Sequence, residues 1–187
     1  IRLRSGELGY ICRRFDRVGK KRLAVEDFCQ LTETQTSEKY HSSVERVGKT
    51  LLRLSDRPGF DAQKFLELVI FSFLIGNSDM HLKNYSLLRD EDNELGLAPA
   101  YDLVSTKLLL PEDEEDSALT INARKHKLRA VDFEKLAEYL RIDVSFLRTT
   151  IESWKAKREL LVQRITSSFV PLHLQQRLTA LIDERFS

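Results

Sequence analysis

An apolar segment that ends at a glycine constrains the fold of this 187-residue chain more than any other feature. All but two of residues 65–75 are apolar. Apolar side chains on nearly every face of a 3.6-residue repeat predict a buried helix, which we place from Asp61 to Ile75. Gly76 is predicted to end this helix, because glycine readily adopts the left-handed conformation found at helix ends. The polar residues that follow are therefore expected to form a loop presented by a rigid element.

The loop predicted at residues 76–84 contains an aspartate and an asparagine five residues apart. Asp79 and Asn84 form this pair, and a second aspartate, Asp102, lies eighteen residues after Asn84. Between them, residues 85–89 and 94–98 have the character of two short strands joined by a polar turn at 90–93. Such a hairpin would bring Asp102 back beside Asp79.

These three side chains have the chemistry that phosphoryl transfer from ATP requires. That reaction needs the acceptor hydroxyl to be aimed and the phosphate charge to be offset by metal ions. Asp79 would accept the hydrogen bond of the hydroxyl. The amide oxygen of Asn84 and the carboxylate of Asp102 would hold Mg²⁺, which prefers hard oxygen ligands. Each residue alone is common in turns and at helix caps, so the prediction depends on the spacing of all three.

The loop and the residues after the hairpin resemble a known family. Gly76–Asn84 and Ala98–Ser105 are similar to segments in the C-terminal half of the HipA-like serine/threonine kinases, the toxins of bacterial toxin-antitoxin modules. Upstream, Cys12–Arg17 resembles the hinge strand beside the adenine in that family, and Leu23–Gln30 resembles the segment after it. Residues 77–78 and 103–104 lack the His-Arg and Phe-Gly of ordinary protein kinases, which favours the HipA-like branch.

The resemblance implies a fold that is mainly α with a small β-hairpin, a protein-kinase-like C-lobe of the HipA type. Residues 1–187 would form a single domain, with a hinge strand region at 1–22 and a helical lobe at 23–187 that carries the catalytic loop 76–84 and the metal-binding Asp102. None of the seven glycines forms a Gly-rich phosphate loop, and no strand-borne lysine precedes Arg13. The N-lobe is therefore expected to be largely absent, and this fragment to have little activity alone.

The resemblance also implies roles for site residues, with ATP and Mg²⁺ as cofactors. Asp79 is the expected catalytic base, and Asn84 and Asp102 are the expected metal ligands. The residues expected to contact the nucleotide are Arg13, Arg14, Phe15, His81, Leu82, Lys83, Asn84, Tyr101 and Asp102. For His81 the alternative is a packed core position. For Lys83 the alternatives are a position facing the transferred phosphate and a position on the open surface.

The expected partners of the chain are proteins. The resemblance implies a protein substrate, in some relatives an aminoacyl-tRNA synthetase, and a DNA-binding antitoxin. A net charge of +1 with 32% charged residues argues against a surface that coats nucleic acid, so direct nucleic-acid binding is not expected. The longest apolar run is too short to cross a bilayer, so no membrane partner is expected. Cys12 and Cys29 form no disulfide framework, which makes the cytoplasm the expected location.

The remaining segments are predicted to be mostly helical. Helices are expected around residues 44–54, from Asp132, from about Val144 to Ile165, and after Pro171, with a short strand at Ala118–Asn122. The acidic residues 111–116 are expected either to form a solvated loop or to select a basic substrate. The basic residues 123–129 are expected either to form a solvated turn or to contact tRNA or an acidic partner.

Two other functions stay open at this point. A non-catalytic module that binds an antitoxin or regulator would also account for the missing ATP lobe. A magnesium-dependent phosphohydrolase or nuclease could use Asp79 and Asp102, because two carboxylates and an amide also suit two-metal hydrolysis.

Overall fold

The computed structural model describes residues 1–186, which form eight α-helices and two small antiparallel sheets. The strands are β1 Arg17–Val18, β2 Lys21–Arg22, β3 Ala24–Asp27, β4 Ser86–Arg89 and β5 Leu95–Leu97. The helices are α1 Phe28–Leu31, α2 Val44–Leu54, α3 Pro58–Ile75, α4 Thr106–Leu109, α5 Ala130–Tyr139, α6 Val144–Ala156, α7 Arg158–Thr166 and α8 Leu172–Phe186, with 3-10 turns at Thr36–Glu38 and Leu82–Asn84. The predicted class, mainly α with a small β-hairpin, is confirmed. Within residues 1–186 no helix is both long enough and apolar enough to cross a membrane.

Helix α3 is the central element, as its apolar sequence predicts. It begins at Pro58, three residues before the predicted start, because the fixed backbone angle of proline suits the first helical turn. It ends at Ile75, and Gly76 follows in the left-handed conformation with φ +70°. Neighbouring elements α2, α6, α8 and β5 pack around it. Its buried apolar side chains include Phe65, Leu66, Val69, Ile70 and Leu74.

The predicted hairpin forms, with both strands slightly shorter than expected. β4 pairs antiparallel with β5, and β3 pairs antiparallel with the other edge of β4, so the sheet has three strands. The turn is closed by Asp90, whose carboxylate accepts two backbone N–H groups. β3 ends at Asp27, which caps α1 by accepting the backbone N–H of Gln30. The sheet therefore fixes the segment after the hinge against the hairpin.

The C-terminal helices differ from the prediction at two places. The single helix expected from Val144 to Ile165 is wrong, since α6 and α7 are separated at Lys157. There the N–H of Lys157 bonds to Trp154 O as well as Ser153 O, which tightens the turn and ends α6. Asp132 does not precede its helix as a cap. It is the third residue of α5 and accepts the N–H of the residue before that helix.

The acidic segment 111–116 is only partly the solvated loop that its charges predict. Glu112 and Glu114 are exposed. The carboxylate of Asp116, in contrast, lies 3.4 Å from the ammonium of Lys107 and 2.7 Å from the guanidinium of Arg185. The side chain of Arg185 is nearly buried. This carboxylate therefore ties the segment to α4 and α8.

The segment after residue 116 also departs from expectation. The short strand predicted at residues 118–122 is wrong, because only isolated bridges form there, Thr120 with Ser43 and Ile121 with Arg124. The segment is held by core packing instead, with Leu119 and Ile121 fully buried. Basic residues of 123–129 form internal ion pairs, such as the one between Lys125 and Glu115 at 3.6 Å.

Candidate active site

The predicted catalytic loop, residues 76–84, lies between α3 and β4. Gly76 donates its N–H to Phe73 O, and Asn77 donates to Ser72 O, so the loop continues from the last turn of α3. Met80 and Leu82 are almost fully buried and fix the middle of the loop to the core. Because neighbouring side chains point in different directions, Asp79 and Lys83 remain half-buried at the surface.

Asn84 is bonded to the backbone of the proposed base. Its Nδ2 donates to Asp79 O over 3.0 Å, and its side chain is almost entirely buried. The bond fixes the nitrogen end of the amide, so the oxygen end faces away from that carbonyl. An amide oxygen held in this way is a fitting ligand for a hard cation.

Asn77 connects the catalytic loop to the loop that carries Asp102. Its Oδ1 accepts the N–H of Asp79 at 3.2 Å, and its Nδ2 donates to Asp102 O at 3.2 Å. Asp102 has a φ of +55°, and the residue is exposed. One buried amide therefore holds the backbone of both aspartates, and the hairpin brings Asp102 to the catalytic loop. Asn77 was not among the predicted site residues.

Tyr101 joins the hairpin end to the catalytic loop and to the hinge. Its hydroxyl donates to Lys83 O at 2.7 Å and lies 2.5 Å from the hydroxyl of Ser86. Burial raises the pKa of Tyr101, so its hydroxyl stays protonated. Its ring centroid lies 5.7 Å from that of Phe15.

The hinge strand predicted at Cys12–Arg17 is wrong, because residues 12–16 form no strand and β1 begins only at Arg17, and its other predicted contacts are more peripheral. Arg13 and Arg14 are exposed, and the guanidinium of Arg14 pairs with Asp16 at 2.5 Å. Of the three predicted hinge contacts, Phe15 is therefore the one whose side chain reaches a catalytic-side residue.

His81 lies in the core beneath the loop. Its ring contacts Tyr40 edge-on with centroids 5.1 Å apart, and its Nδ1 is buried without a hydrogen-bond partner among residues 1–186. Burial lowers the pKa of His81, the charge of Lys39 acts in the same direction, and Asp79 opposes both. The imidazole is therefore neutral at pH 7, in the buried setting that was one of its two predicted alternatives.

Lys83 makes an ion pair with a residue outside the motif. Its Nζ lies 2.6 Å from Oδ2 of Asp27, the residue that caps α1, and this bond raises the pKa of Lys83. The ammonium is thus held at the end of β3. Facing a transferred phosphate would require it to exchange that carboxylate for the phosphate.

Three further contacts at the loop come from residues that no motif indicates. Tyr40 donates its hydroxyl to Oδ1 of Asp79 at 2.8 Å. The hydroxyl of Ser78 lies 2.8 Å from that of Thr106 and donates to Asp113 at 2.7 Å. Tyr40 is a single tyrosine between polar residues, and Thr106 belongs to a short apolar stretch, so local pattern gives no signal for either.

The predicted metal ligands are one amide oxygen, that of Asn84, and one carboxylate, that of Asp102. Residues 1–186 contain no group of three or more His, Cys, Asp and Glu side chains arranged to hold a metal. That finding is compatible with a site in which Asn84 supplies one of the ligands. A cavity of about 900 Å³ lies elsewhere, between α3, α8 and the segment 111–130.

A model of the HipA-like C-terminal domain matches residues 1–167. The chain belongs to this family. The match extends beyond the recognisable motifs through α5, α6 and α7, where the sequence alone shows helical character. The resemblance inferred from the catalytic loop is confirmed.

Similar proteins and structures agree with this assignment. Two curated relatives are named as putative kinases. The first, Y4dM of Sinorhizobium fredii, is 35% identical, and the match covers 77% of this chain and 36% of Y4dM. The second, a protein of Haemophilus influenzae, is 25% identical, and the match covers 69% of this chain and 42% of that protein. HipA of Shewanella oneidensis, solved with HipB and operator DNA, superposes with a TM-score of 0.75 at 21% identity over 92% of this chain and 49% of its own. The Helicobacter pylori kinase CtkA superposes with a TM-score of 0.55 at 17% identity, over 93% of this chain and 67% of its own.

These comparisons confirm the kinase-like fold of the HipA type. They also show that this HipA-like chain spans less than half the length of the curated relatives that it matches.

Proposed function

We propose that this HipA-like domain is the catalytic lobe of a protein kinase that transfers the terminal phosphate of ATP to a serine or threonine hydroxyl. The observation that supports this most strongly is the position of Asn77. Its amide bonds to the backbone of both Asp79 and Asp102, which lie 23 residues apart in the chain. A base and a metal ligand must be held together in phosphoryl transfer.

Asp79 accepts the hydrogen bond of the acceptor hydroxyl in this proposal. As the hydroxyl oxygen bonds to the terminal phosphorus, the bond from that phosphorus to the bridging oxygen of ATP breaks, and ADP leaves. Asp79 takes the proton of the hydroxyl. Asn84 and Asp102 would hold Mg²⁺, whose role is to offset the negative charge of the phosphates.

The nucleotide would lie against the hinge side of the loop. The Phe15 and Tyr101 rings would pack near the adenine, and the backbone at Arg13 and Arg14 would face the adenine edge.

The loop would contact the rest of the nucleotide. His81 and Leu82 would line the pocket on the core side, and the ammonium of Lys83 would leave the Asp27 carboxylate and bind a phosphate. The matched part of the chain makes up 36% and 42% of the two curated relatives, and in this proposal a phosphate-covering lobe would lie in the remainder of the complete gene product.

Two features of the complete protein follow from the same proposal. Its substrate would be a protein, with an aminoacyl-tRNA synthetase as one candidate that the family resemblance implies. Its partner would be a DNA-binding antitoxin, because the Shewanella HipA structure contains HipB and operator DNA.

The test measures phosphate transfer from labelled ATP with Mg²⁺ by the complete gene product. Asp79→Ala should lower incorporation by about a hundredfold or more, the range expected for loss of a general base. Asp92→Ala, at an exposed turn residue of the hairpin, is the matched control and should leave the rate unchanged. Equal incorporation by Asp79→Ala and the unaltered protein would refute the proposal. Free phosphate without a phosphoprotein would support hydrolysis instead.

The metal role is tested with Asp102→Asn. Asparagine tolerates the left-handed backbone at this position, so the variant should fold, while the loss of the negative charge should raise the Mg²⁺ concentration needed for half-maximal activity. An unchanged Mg²⁺ dependence would exclude Asp102 as a ligand.

A further inference from the structure

Tyr40 lies outside the motif and contacts the proposed base directly. Its hydroxyl donates to Oδ1 of Asp79 at 2.8 Å, across a separation of 39 residues. We propose that Tyr40 is a positioning residue that fixes the Asp79 carboxylate, so that the second oxygen, Oδ2, is the one presented to the acceptor hydroxyl. This inference rests on the proposed function, because it assumes that Asp79 is the base.

Two contacts hold the Tyr40 ring in place. The ring packs edge-on against that of buried His81, and the ammonium of Lys39 lies 4.9 Å from the Tyr40 ring centroid. The backbone is fixed as well, since Lys39 O accepts the N–H of Leu82 at 3.2 Å. The segment that carries Tyr40 is therefore bonded to the same loop that carries the base.

The hydroxyl is suited to act as a permanent donor. The hydrogen bond to Asp79, together with burial, raises the pKa of Tyr40 to about 12. The phenol therefore keeps its proton throughout the pH range in which a kinase works. With Oδ1 engaged, the carboxylate cannot rotate freely, and one defined oxygen is left for the proton that moves during transfer.

The hydroxyl of Tyr40 can be removed without disturbing the packing of the core. Tyr40 is 38% exposed, so its ring is not a core element whose loss would open a large cavity. Tyr40→Phe removes one oxygen and keeps the ring on His81. The matched control is Tyr139→Phe, because Tyr139 is 47% exposed on α5 and belongs to no part of the site.

The experiment compares these variants in the complete gene product, with labelled ATP, Mg²⁺ and a protein acceptor or self-phosphorylation as readout. Tyr40→Phe should lower kcat on the order of tenfold, because a misplaced catalytic group costs up to about a hundredfold. The KM for ATP should change by less than about twofold, since Tyr40 acts on the acceptor side. Tyr139→Phe should match the unaltered protein in both constants, and both variants should keep its Tm.

A second arm separates positioning from general support of the loop. In an Asp79→Ala background, Tyr40→Phe should cause no further loss, because a residue that acts through Asp79 has nothing left to position. A further loss in that background would overturn the inference.

The remaining outcomes are also decisive. An unchanged kcat for Tyr40→Phe would overturn the inference, and so would a faster reaction, because the hydroxyl would then be obstructing the acceptor. Phosphate found on Tyr40 itself would show that it is an acceptor instead. If Asp79→Ala is as active as the unaltered protein, the proposed function fails. If only Asp79→Ala is impaired, the inference about Tyr40 alone fails.

Discussion

Replacing Gly76 by alanine tests whether the start of the catalytic loop is as constrained as the structure indicates. Gly76 has a φ of +70°, and a Cβ added there would lie 2.6 Å from Cδ2 of Leu181 and 3.1 Å from Cβ of Lys107. The left-handed backbone costs an alanine roughly 1–2 kcal/mol. Forcing an extra carbon between α4 and α8 costs roughly 1–3 kcal/mol more. Gly76→Ala should therefore lower the free energy of unfolding by about 2–5 kcal/mol.

Gly59 offers a matched control in the same helix. It is the second residue of α3, and an added Cβ there would meet no heavy atom within 4 Å. Gly59→Ala should stabilise the protein by about 0.5–1 kcal/mol, because alanine loses less backbone entropy on folding into a helix. The same chemical change should thus have opposite signs at the two ends of α3.

The assay is urea unfolding followed by the fluorescence of Trp154, the one tryptophan of the chain. Its ring lies 4.9 Å from that of Phe71 on α3, so its emission reports the packing around this helix. An unfolding midpoint for Gly76→Ala equal to or above that of the unaltered protein would refute the reasoning. It would mean that α8 yields to the new carbon and that the left-handed backbone is not required.

Two further predictions concern buried charges. Burial pushes the pKa of Asp132 upward, but hydrogen bonds from Asn122 and the N–H of Arg129, with nearby positive charge, outweigh it and hold that pKa below its ordinary value. Its contribution to stability is therefore present above about pH 4 and lost as the pH falls through the lower folded-state pKa. Asp132→Asn should cost about 1–3 kcal/mol at pH 7, with a smaller difference below pH 4, measured by urea unfolding across pH. Arg185→Met should cost about 3 kcal/mol in the same assay, because it leaves the Asp116 carboxylate without its closest cation. A loss below about 1 kcal/mol would show that Lys107 alone compensates that charge.

Local sequence pattern predicts much of the structure around the loop 76–84 of this HipA-like domain. The apolar stretch predicts α3, Gly76 predicts its end, and the two strand-like segments joined by a polar turn after Asn84 predict the hairpin. Each of these depends on residues close together in the chain, whose backbone preferences and burial pattern agree. The proposed base and one metal ligand lie in a single loop, so their proximity needs no knowledge of the fold. The family resemblance likewise follows from short segments, of which this loop is one.

The tertiary structure decided the partners of these residues. Tyr40 reaches Asp79 across 39 positions, Asp27 reaches Lys83 across 56, and Arg185 reaches Asp116 across 69. No local propensity distinguishes these side chains from the exposed tyrosines, aspartates and arginines elsewhere in the chain. The break at Lys157 is similar, since neither glycine nor proline marks it and the packing of α7 on α8 accompanies it. Sequence pattern reports what each segment prefers alone, whereas the hydrogen bonds that hold the site form only when distant segments are packed around α3.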